Sequence, residues 1–134
     1  MLMISKSQQL LLHSLSQFYN EKNHSEQLLD VINHRKGVSL RNIEWFITNY
    51  AKSNQTRYNT KDGKDFPVHI QYKASLDGYS KRAFDPFCRT ERITFILSSG
   101  DEISTTVSQL NFLRWCIVND IIKYIENNKH ILKK

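Results

Sequence analysis

Residues 105–125, TTVSQLNFLRWCIVNDIIKYI, set the condition that the rest of the chain must meet. Leu110, Leu113, Ile117, Ile121, Tyr124 and Ile125 recur at three- and four-residue steps, so a helix through them has one continuous apolar side. Trp115, Val118 and Ile122 widen that side into a band. Thr106, followed three residues later by Gln109, is a capping box that starts the helix, and the pattern predicts one long helix to about residue 128. So broad a band has to be covered by other elements.

The N-terminal third offers helices. Leu10, Leu11, Leu15 and Phe18 share a face over about residues 5–20. Asn23 and Glu26 predict the cap of a second helix carrying Leu28, Leu29 and Ile32, with Gly37 ending it. Ser39 predicts the cap of a third. Ile43, Phe46, Ile47 and Tyr50 then follow as an amphipathic stripe, with Asn54 near its end.

The period then changes to two. In DFPVHIQYK, Phe66, Val68, Ile70 and Tyr72 alternate with Pro67, His69, Gln71 and Lys73, which predicts a half-buried strand. QTRYNT supplies a shorter partner strand, and Asp62-Gly63 between them is a hairpin turn signal. A second hairpin is predicted from ERITFIL, SSGD and EISTT, with Ile93, Phe95 and Leu97 on one face. Helices, two hairpins and a final helix predict a single α+β domain over 1–134, with an antiparallel sheet made of the two hairpins.

A chain of 134 residues, 40% hydrophobic and 24% charged, can bury about two-thirds of its unfolded surface without disulfides or metals. It has no apolar run of spanning length, so no membrane insertion is expected, and its N-terminus lacks the marks of a signal peptide. Cys88 and Cys116 read as reduced, partly buried thiols of an intracellular protein. The histidines at 13, 24, 34, 69 and 130 are scattered, so no zinc site and no cofactor is predicted.

The net charge of +6 favours an anionic partner. Most of the excess falls between Lys52 and Arg92, where nine cationic side chains face five acidic ones; Lys133 and Lys134 form a small second cluster. Within that window, YSKRAFDPFCRTER (79–92) interleaves cations with aromatic rings. Cations hold phosphates, and aromatic faces stack on unpaired bases. The candidate nucleic-acid-binding residues are therefore Tyr79, Lys81, Arg82, Arg89 and Arg92, extended by Lys61 and Lys64 on the first hairpin. Phe84, Pro86, Phe87 and Cys88 read instead as anchors of the segment in the core. Two readings stand for Arg89 and Arg92: phosphate contact, or pairing with Asp85 and Glu91.

Enzyme chemistry has weaker signals. Asp77, Asp85 and Glu91 with Lys81 could form a metal-dependent nuclease set, but their spacing matches no strong motif. Cys88 has no local histidine partner, and the four glycines are isolated, so no phosphate-binding loop exists. The expectation is a non-enzymatic nucleic-acid-binding protein. The alternative is an assembly adaptor whose basic surface meets acidic protein partners.

The stretches IEWFITNYAK (43–52), YSKRAFDPFCRTERI (79–93) and TTVSQLNFLRWCIVNDIIKYI (105–125) together resemble a family of small uncharacterised proteins of nucleocytoplasmic large DNA viruses. The resemblance covers about residues 39–128. It implies an intracellular viral setting (host cytoplasm, viral factory, nucleus or virion) and a role in DNA transactions, transcription, genome packaging or virion assembly. It implies no catalytic residue.

Overall fold

The computed structural model describes residues 6–88 and 91–132. The elements run α1 (Lys6–Tyr19), α2 (Lys22–Ile32), α3 (Leu40–Trp45), a π-helical turn (Phe46–Tyr50), α4 (Ala51–Asn54), β1 (Arg57–Asn59), β2 (Asp65–Pro67), α5 (Val68–Tyr79), α6 (Lys81–Phe84), β3 (Arg92–Ile96), β4 (Glu102–Thr106), α7 (Val107–Val118), α8 (Ile121–Asn127) and a 3₁₀ turn (Lys129–Leu132). The chain is α+β, as its patterning requires.

Helix α7 is the centre of the core. Leu110, Phe112, Leu113 and Cys116 are fully buried, and α7 packs against α1, α2, α6 and α8. Its N-cap forms as expected: the Gln109 N–H donates to Thr106 Oγ1 at 3.1 Å. The Gln109 side chain, however, accepts from the Thr105 hydroxyl, so the reciprocal half of the capping box is replaced. Helix α1 lies on α7 through buried Leu15 and Tyr19, and the Tyr19 hydroxyl donates to the Leu110 carbonyl at 2.7 Å. Leu10 falls off that buried face and is exposed.

Helix α2 begins two residues earlier than an Asn23 cap would have it, with Glu21 at the N-cap and no side-chain cap bond. It ends at Ile32, before Gly37, because His34 takes the left-handed conformation and the Arg35 N–H returns to the Asp30 carbonyl. The Ser39 cap is complete: Asn42 N–H donates to Ser39 Oγ, and Ser39 N–H donates to Asn42 Oδ1. Ile43, Phe46 and Ile47 behind it are fully buried.

The long strand predicted over DFPVHIQYK is not there. Only Asp65–Pro67 is strand, and Val68–Tyr79 is the helix α5. Val68 and Tyr72 are buried while Ile70 is 67% exposed. A buried step of four looks like alternation when an apolar residue happens to fall midway. Helix and strand templates then score alike on so short a run.

The hairpins form where turn chemistry placed them. Tyr58 pairs with Phe66, and Gly63 (φ 82°) supplies the left-handed residue of the connecting loop. Thr94 pairs with Ser104, and Ile93, Phe95 and Leu97 are buried. They remain two separate two-stranded sheets rather than one. The reason is positional: β4 runs straight into the N-terminus of α7, whereas β1–β2 docks beyond its C-terminus. That docking also divides the single C-terminal helix predicted from the sequence. Tyr58 donates its hydroxyl to the Asn119 carbonyl at 2.6 Å, and Lys61 N–H donates to the Asp120 carboxylate at 2.9 Å. Asp120 sits between α7 and α8 at φ 60°, a conformation that Asp tolerates better than most residues.

Candidate nucleic-acid interface

The aromatic and basic segment after α5 is organised by two features. Ser80, at φ 72° and ψ 164°, turns the chain sharply from α5 into α6. Phe84 then inserts into the core with no exposed surface. Asn111 fixes the turn from below: its buried side-chain amide donates to the Ala83 carbonyl at 2.8 Å, and its oxygen accepts from Arg114. The Ser80 conformation is one that glycine adopts and other residues resist, at about 1–3 kcal/mol. Ser80→Gly relieves that strain and loses part of the gain to a more flexible unfolded chain. The expected net effect is about 1 kcal/mol of added stability, read from the denaturation midpoint; a destabilised variant would mean the hydroxyl contributes more than the strain costs.

Tyr79 stacks on Phe84 with ring centroids 5.7 Å apart and planes 7° from parallel, and is 44% exposed. One ring face is therefore occupied and part of the residue is open. Lys81 and Arg82 are exposed, and neither takes part in an ion pair among the described residues. Pro86 is buried and Cys88 partly so, as expected of anchors. Phe87 is not an anchor, being 48% exposed, because the Asp85 carboxylate accepts its N–H at 2.9 Å and turns the chain outward. Arg92 has a partner that neither reading foresaw. Its guanidinium reaches across the hairpin, donating through Nε to Ser104 Oγ at 3.1 Å and through Nη2 to the Ser104 carbonyl at 2.8 Å. Arg89 lies outside the described residues, as do Lys133 and Lys134.

Lys61 and Lys64 are exposed but stand elsewhere. Lys61 is tied by its backbone to Asp120, past the C-terminus of α7, whereas Arg92 lies opposite Thr106 at its N-terminus. The twelve residues of α7 between them span roughly 18 Å. The structure therefore keeps Lys61 apart from Arg92. Lys61 instead shares a cleft with Lys123, Tyr58 and Tyr124, whose rings stack at 4.6 Å.

What continues the surface of residues 79–82 is α5 itself. Ile70, Lys73, Ala74 and Asp77 are exposed at helical spacing along it. At its other end a cleft of about 360 Å³ is lined by Ala51, Lys52, Arg57, Pro67, His69 and Ile70. Arg57 is held there by Asp65 through two contacts, Nε to Oδ1 at 3.1 Å and Nη2 to Oδ2. This ion pair holds the Asp65 carboxyl below the usual range. Lys52, Lys73 and His69 were not among the expected contacts: His69 and Lys73 fell on the polar face of the expected strand, and Lys52 lies in α4, which meets the start of α5 only through the fold. The charge excess between Lys52 and Arg92 was the signal that contained them.

Other titratable groups report burial rather than reactivity. Desolvation pushes the Cys116 thiol well up, which leaves it protonated and inert. The Tyr72 phenol is pushed up to about 12, first by burial and then by the nearby Asp85 and Glu44. Glu44 is raised mainly by partial burial, with Asp85 adding to it. A raised carboxyl binds its proton more tightly in the folded state, so stability falls as pH rises from the unfolded value of 4.5 through the folded one. Glu44→Gln should thus be slightly more stable than the parent at pH 7, by no more than about 2 °C in Tm, with the advantage gone by pH 4. A thermal melt series across that pH range checks the sign.

Among the described residues no three His, Cys, Asp or Glu side chains are grouped to hold a metal ion. No helix among them is long and apolar enough to cross a membrane. No solved structure matches the chain. It is 40% identical over 115 residues to "Uncharacterized protein L507" of Acanthamoeba polyphaga mimivirus, a nucleocytoplasmic large DNA virus. That alignment covers 80% of this chain and 44% of the relative, so the chain spans less than half the relative's length. Residues 3–134 match the family of unknown function DUF7197. With nearly its whole length covered, the chain belongs to the DUF7197 family.

Proposed function

We propose that the protein binds nucleic acid without catalysing a reaction on it, along the outer face of α5 and across α6, in the context of viral DNA transactions, transcription or packaging. The observation that supports this most is the pair Lys81 and Arg82, exposed, free of ion pairs among the described residues, and set beside a half-open Tyr79. Lys73 on the same helix and Lys52 near its start extend the positive surface. Cations that already have a carboxylate partner give little to a phosphate, so the unpaired ones carry the binding. Arg92 is held by Ser104, and its role is to brace the hairpin while leaving its Nη1 edge for an anion. Lys61 and Lys64 form a separate patch, whose part in binding is decided by the variants compared in the Discussion.

The test is a titration of labelled single- and double-stranded DNA and RNA over a salt series. Log K is expected to fall linearly with log salt, by about 0.7 per phosphate contact on a single strand and about 0.9 on duplex DNA. No binding at low salt defeats the proposal.

A second reading, an assembly adaptor for an acidic protein partner, is favoured by the exposed Phe87 close to the same cations. An isolated surface aromatic beside positive charge suits a protein interface. Pull-down with and without nuclease separates the two: a partner retained after nuclease treatment supports the adaptor.

A further inference from the structure

We propose that the cleft between α4 and the start of α5 binds a phosphate monoester joined to a nucleoside, either as a free mononucleotide or as the terminal phosphate of a strand. This rests on the nucleic-acid reading above and makes it more specific. The lining supplies Lys52, Arg57 and His69 and contains no carboxylate. Neighbouring clefts differ: one carries Glu26 and Asp101, another Asp62 and Asp120.

Each of the three side chains can meet the ligand in its own way. Lys52 is exposed and in no ion pair among the described residues. Arg57 is already paired with Asp65 through Nε and Nη2, so it adds the Nη1 donor, which has no hydrogen bond among the described residues, rather than net charge, and the unpaired Lys52 supplies the charge. His69 Nδ1 lies 3.4 Å from the Ile47 carbonyl. A carbonyl only accepts, so Nδ1–H is the donor in that contact, and in the neutral ring Nε2 is an acceptor able to take a proton from a phosphate P–OH or a ribose hydroxyl. That carbonyl belongs to the π-helical turn, a local widening found frequently at functional sites.

The ligand class follows from charge and size. A phosphate monoester carries about −1.5 to −2 at neutral pH, more than a carboxylate or a diester, and suits several converging donors. Ala51, Pro67 and Ile70 give the cleft apolar wall, which a bare inorganic anion would leave unused. A volume of about 360 Å³ lies at the small end for ligand pockets and fits one nucleotide.

The full chain is titrated with a nucleoside 5′-monophosphate, the unphosphorylated nucleoside and inorganic phosphate, followed by backbone amide and imidazole NMR signals. Expected are saturable shifts confined to residues 51–57 and 67–70 with the monophosphate, none with the nucleoside, and binding at least about fivefold weaker with inorganic phosphate. Lys52→Ala, an exposed and structurally mild change, should weaken the monophosphate at least about fivefold. The proposal is overturned by no saturation at millimolar monophosphate, by shifts elsewhere, by unchanged affinity in Lys52→Ala, or by inorganic phosphate binding as well as the nucleotide. An oligonucleotide with hydroxyl ends, titrated in parallel, keeps the two ideas apart. If it binds while the monophosphate does not, the cleft assignment fails and the α5–α6 surface stands. A 5′-phosphorylated strand that outbinds its hydroxyl-ended twin assigns the strand terminus; equal affinity assigns the free nucleotide, and both support the site.

Discussion

Phe84→Ala should cost about 3–5 kcal/mol of folding free energy, the largest loss expected from any change in the basic segment. The ring is fully buried and meets three others edge-on or tilted, Tyr72 at 5.8 Å, Phe112 at 5.7 Å and Trp115 at 5.5 Å, while Tyr79 covers it at 5.7 Å. Truncation removes the transfer free energy of the ring and leaves a cavity walled by rigid aromatics that collapse poorly. Aromatic pairs add about 0.5–1.5 kcal/mol each beyond area burial, so the loss belongs toward the upper end. Phe84→Leu keeps most of the volume and should cost less than half as much. The measurement is a denaturant melt with m unchanged and the midpoint lowered. A loss below about 1 kcal/mol would mean that α6 is not pinned to α7 by this ring, and that Lys81 and Arg82 have no fixed platform.

How much could be read beforehand depended on which signal carried each element. Turn and cap chemistry is local, so Ser39, Asp62-Gly63 and the SSGD turn gave correct elements. The α5 error arose because Val68, Ile70 and Tyr72 fit both periods, and only tertiary burial separates Tyr72 from Ile70. The break at Asn119-Asp120 was hidden for a different reason: it depends on Tyr58 and Lys61, some sixty residues away, taking up the groups that the interrupted helix releases. The site divided along the same line. Phe84 is buried and Lys81 and Arg82 are exposed, as local chemistry led one to expect, because neighbours in sequence stay neighbours in space. That Lys61 docks past one end of α7 while Arg92 lies at the other, that Ser104 holds Arg92, and that Lys52, Arg57 and His69 share a cleft are long-range facts with no local sequence signal.

Lys81→Ala combined with Arg82→Ala should lower affinity for single-stranded nucleic acid roughly fiftyfold at about 50 mM salt, with the difference closing toward 1 M. The reasoning is counterion release: each phosphate contact contributes about 0.7 to the slope of log K against log salt, so losing two removes about 1.4. Both side chains are exposed and unpaired among the described residues, so the fold should be indifferent to the change, and an unaltered melting curve is the control. Lys61→Ala combined with Lys64→Ala is the matched comparison, since it removes the same charge from the β1–β2 hairpin. If the α5–α6 surface carries the strand, the hairpin variant keeps the parental slope. A parental slope in the Lys81 and Arg82 variant with a shallow one in the hairpin variant moves the interface to the β1–β2 end. Equal shallowing in both would require one strand that reaches both patches, and shortening the oligonucleotide would then abolish the effect of one pair before the other.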